Sequence, residues 1–235
     1  MHRRKKKSKF HVKIVVALMI LIGFGIFFFR GLKNYEPIQA ADLSNGWNLI
    51  LVNSEYRIPD DYQKKIELTT LSNGRQVDSR IYPDLQAMFD DARAAGLQLF
   101  VRAGYRTGDE QRQLLNEKIS QYQSDGYSKT DAEKLAKEWV ATPGTSEHEI
   151  GIAVDINADT SSSTKNEVYT WLENNSYRYG FIKRYPSNKA DITGISNEPW
   201  HYRYVGKEAA KKIYEEGICL EEYREDYLRR KESRK

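Results

Sequence analysis

Sixteen consecutive uncharged residues, Ile14 to Phe29 (IVVALMILIGFGIFFF), stand directly behind the basic start MHRRKKKSKFHVK. A run of this kind cannot be spread over the surface of a soluble domain, so it splits the chain before any fold is considered. It is a little short of the ~20 residues a helix needs to cross a bilayer. Phe10 and Val12 extend its apolar surface, and Lys13 can snorkel back to the interface. Basic flanks favour the cytoplasmic side, which sends the rest of the chain outward. The expected layout is therefore a basic cytoplasmic start at 1–13 and a transmembrane helix at 14–29, through which the membrane is a partner. A cleaved secretory signal has the same charged start and short apolar core. The small-residue site Gln39-Ala40-Ala41 lies about ten residues past the run, further than such sites usually sit, which favours the anchor. Either way the main domain lies outside the cytoplasm, and the expected localisation is the cell membrane, single-pass.

A basic arm could also bind nucleic acid, but an apolar run immediately behind it argues against that use. Without the first thirteen residues the chain loses its basic excess, so no polyanion and no nucleic acid is expected as a partner. The chain has a single cysteine, Cys219, and no intramolecular disulfide can form. An exported domain must then be held by its core or by a metal. Cys219 itself reads as a small buried apolar residue at a helix end.

Residues 30–46 are polar, contain Pro37 and have no clear period; they read as a linker. The main domain is expected over 47–217, starting with a strand-like run at Trp47–Asn53. Tyr82 to Gly96 reads as a helix, with Pro83 in its first turn and Leu85, Met88, Phe89 and Ala92 on one face. A strand follows in LQLFVRAGY. Next come a helix capped by Thr107, another capped by Ser128 or Thr130, and a third capped near Ser163. GFIKRYP and WHYRYVG read as strands, KEAAKKIYEEG as a last helix, and 218–235 as a solvated charged tail. Strands and helices without regular alternation indicate an α+β domain, a small mixed or antiparallel sheet flanked by helices.

Of four histidines, only His148 and His201 fall in this domain. In GTSEHEIGIAVDIN, Gly151 permits a sharp turn after His148. The following strand puts Ile152, Val154 and Ile156 on one face, Ala153 and Asp155 on the other. In NEPWH, Pro199 biases Glu198 toward an extended backbone and places it close to His201. His148, Asp155 and His201 could thus form a three-ligand zinc site with an open fourth position. Glu198 would be left to accept a proton from water there. The plainer alternatives are a loop histidine and a strand aspartate that never meet, and an aromatic surface turn.

SEHEIGIAVD and EPWH resemble the S-x-H-x-x-G-x-A-x-D and E-x-W-H motifs of the LAS metallopeptidases, which include VanY-type D-alanyl-D-alanine carboxypeptidases. GYRTGDEQ, GFIKRYP, TGI and RYVG resemble further family segments in the same order, and the likeness spans Trp47 to Gly217. The resemblance implies a zinc peptidase core with His148, Asp155 and His201 as ligands of one Zn2+ and Glu198 as catalytic base. It makes Arg106 the arginine that steadies the substrate carbonyl and terminal carboxylate. It also puts Gln111 and Ser146 where family members hydrogen-bond the terminal residue. Two departures are visible: Ala103 stands where serine is usual before Gly-Tyr-Arg, and SNEPWH replaces a common Gly-Tyr pair before the glutamate. The implied activity is removal of the C-terminal D-Ala from peptidoglycan stem peptides in a Gram-positive-like envelope. The alternatives are L,D-carboxypeptidase action on tetrapeptide stems, or a non-catalytic zinc module that binds the wall.

Overall fold

The computed structural model describes residues 38–232, and the expected anchor at 14–29 lies outside them. Among the described residues, no helix is long and apolar enough to cross a membrane. Two short pairings open the domain: β1 (Gln39–Ala40) lies parallel to β2 (Tyr56–Arg57), and β3 (Leu68–Thr70) forms a hairpin with β4 (Gln76–Asp78). Then follow α1 (Tyr82–Ala94), β5 (Leu99–Ala103), α2 (Gly108–Ser124), α3 (Lys129–Lys137) and β6 (Ala153–Ala158). The chain closes with α4 (Lys165–Asn175), β7 (Phe181–Lys183), the one-turn α5 (Ala190–Thr193), β8 (His201–Tyr204), α6 (Lys207–Glu216) and α7 (Leu220–Glu232).

The central sheet has the order β5-β6-β8-β7, and every neighbouring pair is antiparallel. Its apolar face follows from the alternation in β6. Ile152, Val154 and Ile156 are fully buried and join Leu85, Met88, Phe89 and Ala92 of α1 and Val168 and Leu172 of α4 in one core. The opposite face carries Asp155. The α+β reading therefore holds, with an all-antiparallel main sheet.

Helix starts follow local chemistry. Thr107 and Glu110 form a reciprocal capping box on α2, and Ser128 caps α3. Thr164, one residue later than expected, caps α4. Ser163 is committed elsewhere, its hydroxyl accepting the amide of Gln98 at 2.8 Å.

Three expectations need correction. The run Trp47–Asn53 is not a strand: a 3-10 turn over Trp47–Leu49 leads into irregular chain. Its apolar alternation is real, with Ile50 and Val52 in the main core and Leu49 and Leu51 in a second cluster. Its carbonyls, however, are taken by a side chain rather than a neighbouring strand, since Arg203 Nη2 donates to Asn48 O and Ile50 O. The tail is not simply solvated. It forms α7, which buries Leu220 and Tyr223 against α6, and Arg224 of the same helix is buried as well. Finally, Gln39 and Ala40 of the expected linker pair with β2, and Ala41 is buried.

Two glycines fix how the chain enters the site. Gly151 has φ 72°, the left-handed region, and ends the 3-10 turn Glu147–Ile150 just before β6. Gly104 sits against β4, where an added Cβ would lie 2.2 Å from the carbonyl oxygen of Gln76. Gly104→Ala should therefore force the hairpin and β5 apart. The expected loss is ~1–3 kcal/mol of stability, read by urea unfolding. An unchanged midpoint would show that this contact is not tight.

Candidate functional site

The sheet register explains the site. Asp155 of β6 pairs directly with His201 of β8 on one side and with Ala103 of β5 on the other. Directly opposed residues in an antiparallel pair bring their side chains ~4.5–5.5 Å apart on one face. His148 reaches the same place from the 3-10 turn before Gly151. One donor atom from each of His148, Asp155 and His201 lies within 4.8 Å of the others.

The second bond of each ring sets its tautomer. His148 Nδ1 is 2.7 Å from Gly104 O. A carbonyl can only accept, so Nδ1 carries the proton and Nε2 presents its lone pair inward. His201 Nε2 faces Glu147 Oε2 at 3.4 Å, which leaves Nδ1 as the inward atom. Asp155 Oδ1 lies 3.3 Å from His148 Nε2 and 3.2 Å from His201 Nδ1, close enough for charge interaction. Yet this buried oxygen makes no hydrogen bond. Two imidazole lone pairs and an orphaned carboxylate oxygen converging on one point suit a divalent cation with mixed nitrogen and oxygen ligands, as zinc accepts.

Electrostatics point the same way. Burial alone would push the Asp155 carboxyl up, but the two histidines hold it far below the usual range. Burial lowers the His148 pKa. Burial also opposes charge on His201, but the carboxylates of Asp155 and Glu147 beside its ring outweigh this and raise its pKa to about 9. The pocket is electron-rich and calls for a positive charge.

Glu198 borders the three, with Oε2 3.6 Å from His201 Nδ1. It is only 7% exposed, and burial raises its pKa to about 7 against the opposing pull of His201. That is the range in which a carboxylate exchanges protons readily at neutral pH. Arg106 hydrogen-bonds Gln111 Oε1 through Nη1 at 2.6 Å, and its amide donates to His148 O at 3.2 Å. Gln111 is buried, and its Nε2 donates to Ala141 O at 2.7 Å, so one side chain clamps Arg106 to the loop after α3. Ser146 is also buried; its amide donates to Glu149 Oε1, which also accepts from Gly144 N. All seven residues expected at the site line one cleft of about 650 Å3.

The residues missed from the sequence lie beneath. Glu147 is 1% exposed, and its Oε1 accepts from Arg184 Nε at 2.8 Å and Arg203 Nη1 at 2.7 Å. Arg184 continues to Glu221 of α7 through two parallel hydrogen bonds of 2.9 and 2.6 Å. Both arginines are fully buried. A signal existed: an arginine inside each of the strand runs FIKRYP and HYRYVG demands a buried carboxylate.

A family model described as D-alanyl-D-alanine carboxypeptidase (VanY) matches residues 74–207. The chain belongs to this family. A D-alanyl-D-alanine carboxypeptidase of Enterococcus faecalis is 58% identical over 177 residues, which is 75% of this chain and 65% of that relative. Two solved structures are each 58% identical with a TM-score of 0.74 and cover 75% of this chain. One is a mutant of the vancomycin resistance D,D-pentapeptidase VanY in complex with Zn(II), of which 98% is covered. The other is VanYB in complex with D-alanine-D-alanine, of which 97% is covered. The LD-carboxypeptidase LdcB is 37% identical with a TM-score of 0.61, over 74% of this chain and 84% of that one. In this VanY-family chain, Glu147 fills the variable position of S-x-H, which is why the motif alone did not reveal its role.

Glu147→Ala should leave two buried guanidinium groups short of a counter-charge, a change that typically costs ~3–5 kcal/mol. Urea unfolding reads this; a loss below about 1 kcal/mol would mean that Glu221 and backbone carbonyls suffice for both arginines.

Proposed function

We propose that this chain is a zinc-dependent carboxypeptidase that removes the C-terminal D-Ala from peptidoglycan stem peptides ending in D-Ala-D-Ala. The observation that carries the reading is the convergence of His148 Nε2, Asp155 Oδ1 and His201 Nδ1 beside a buried Glu198 and Arg106. Support comes from the relatives, one of them solved with Zn(II) and one with D-alanine-D-alanine.

His148, Asp155 and His201 would hold the zinc. Bound there, it supplies a Lewis acid that polarises the scissile carbonyl and makes water acidic. Glu198 accepts a proton from the attacking water as its oxygen bonds to the carbonyl carbon. As the C–N bond breaks, Glu198 returns that proton to the leaving amine of the terminal D-Ala. Arg106, held by Gln111, offers a planar and permanently charged fork to the terminal carboxylate and the developing oxyanion. Gln111 and Ser146 line the pocket for the terminal residue. Retention of Glu198 favours an enzyme over a wall-binding module, which would need ligands but no base.

We further propose that residues 14–29 anchor the protein in the cell membrane, with the catalytic domain on the outer side of a Gram-positive-like envelope. The support is the uncharged run and its basic flank. Full-length protein should partition with membranes, its domain open to protease added outside; native protein free in the medium and starting near Ala41 would identify a cleaved signal.

The test of activity is mass spectrometry of defined muropeptides. Pentapeptide should lose one D-Ala, tetrapeptide should persist, and amidating the terminal carboxylate should slow release at least tenfold, about 1.4 kcal/mol of transition-state binding. A shortened tetrapeptide beside an intact pentapeptide would make the enzyme an L,D-carboxypeptidase. Equal rates on free and amidated ends would remove Arg106 from its role.

Glu198→Ala should keep about one zinc per chain and lose ~10²–10⁴-fold in turnover. His148→Ala combined with His201→Ala should lose the metal. Stoichiometric zinc in the double variant, or near-normal turnover in the zinc-loaded Glu198 variant, would overturn these assignments.

A further inference from the structure

The cleft continues past Asp155 along β6, away from Arg106. Asn157 lies on the same strand face two residues further on, and Tyr169 Oη of α4 donates to its Oδ1 at 2.5 Å. Asn157 lines the cleft, and with its oxygen so engaged its amide nitrogen is the group left to donate. Two cations join it from separate elements. Arg102 falls where the β5–β6 register shifts between Val101 and Ala103. A bulge of this kind re-aims a side chain, and Arg102 lines the cleft. Lys165 is the first residue of α4 and lines the same wall. A lysine there opposes the helix dipole, so helix stability does not explain it. Arg102 and Lys165 are exposed, and neither has a carboxylate partner among the described residues.

The register separates this group from the terminal-carboxylate end. Ala103 pairs with Asp155 and Phe100 with Asn157, so Arg102 lies on the Asn157 side. Arg106, bonded to His148 O, lies on the other. The cleft is thus donor-rich at both ends, with the candidate metal ligands between.

We propose that Arg102, Lys165 and Asn157 form a second anion-reading subsite, which takes a carboxylate on the retained part of the peptide, upstream of the scissile bond. The proposal rests on the carboxypeptidase reading above and adds a specificity to it. Two residues of extended chain span ~6.6–7 Å. Since Asn157 is two residues beyond Asp155, the carboxylate belongs to the second residue before the terminal D-Ala-D-Ala pair.

The probes are N-acetylated peptides ending in D-Ala-D-Ala, with one glutamate or glutamine at the first, second or third residue before that pair. With the zinc-loaded full chain, glutamate at the second position should exceed glutamine about fivefold in kcat/KM, the scale of exposed ion pairs. The ratio should fall toward one at about 0.5 M salt, where screening is strong. It should also fall toward one in the variant Arg102→Gln/Lys165→Gln, whose melting temperature verifies folding. Calorimetric binding of the same peptides to zinc-loaded Glu198→Ala reads the subsite without turnover. Equal rates and affinities for glutamate and glutamine at all three positions would overturn the proposal, as would a preference that survives the double variant. Failure to release D-Ala from any peptide would instead count against the carboxypeptidase reading, and the calorimetric ratio would still decide the subsite.

Discussion

One carboxylate organises the domain. Glu147 is out of contact with water and bonds Arg184, Arg203 and, more distantly, His201. A buried charge costs several kcal/mol unless it is paired and hydrogen-bonded, so these groups must arrive together or not at all. Arg184 brings the end of β7 and, through Glu221, α7. Arg203 brings β8 and the carbonyls of the irregular segment at Asn48 and Ile50. The pairing holds Glu147 ionised well below the usual carboxylate range despite its burial. An ionised carboxylate behind His201 Nε2 is what turns Nδ1 toward the cleft, so the scaffold and the ligand orientation share one interaction.

The other ring is set by backbone. Gly104 lets β5 lie close against β4 and offers its carbonyl to His148 Nδ1. Gly151 turns the chain so that His148 returns over the face on which Asp155 stands. The two histidines are thereby oriented by different means, a charged side chain for one and a main-chain carbonyl for the other. Both leave a lone pair pointed at Asp155 Oδ1. That oxygen is buried without a hydrogen bond, a cost a folded protein retains where another species supplies the missing interaction.

Around this centre the cleft is graded in charge. Glu198 sits where burial lifts its affinity for a proton to the neutral range, while Arg106 is held by a buried glutamine rather than by a carboxylate. An arginine braced by a neutral partner keeps its full charge for a ligand. Burial even lowers the Arg106 pKa, an expense that pairing with an anion relieves.

The sequence by itself determined the elements whose signals are local. The helix starts at Thr107 and Ser128 follow from side chains that bond the nearest free amides, and the β6 faces follow from strict alternation. The candidate ligands were legible because a short motif encodes a turn, a strand and a face. What only the tertiary structure decided depends on partners distant in the chain. The run at Trp47–Asn53 has strand-like alternation but finds the Arg203 side chain instead of a neighbouring strand. The highly charged tail packs as α7 because Leu220 and Tyr223 have an apolar surface to meet and Glu221 has Arg184. Glu147 carries no local signal of its burial, since a buried carboxylate is recognisable only by the arginines that surround it, 37 and 56 positions later in the chain.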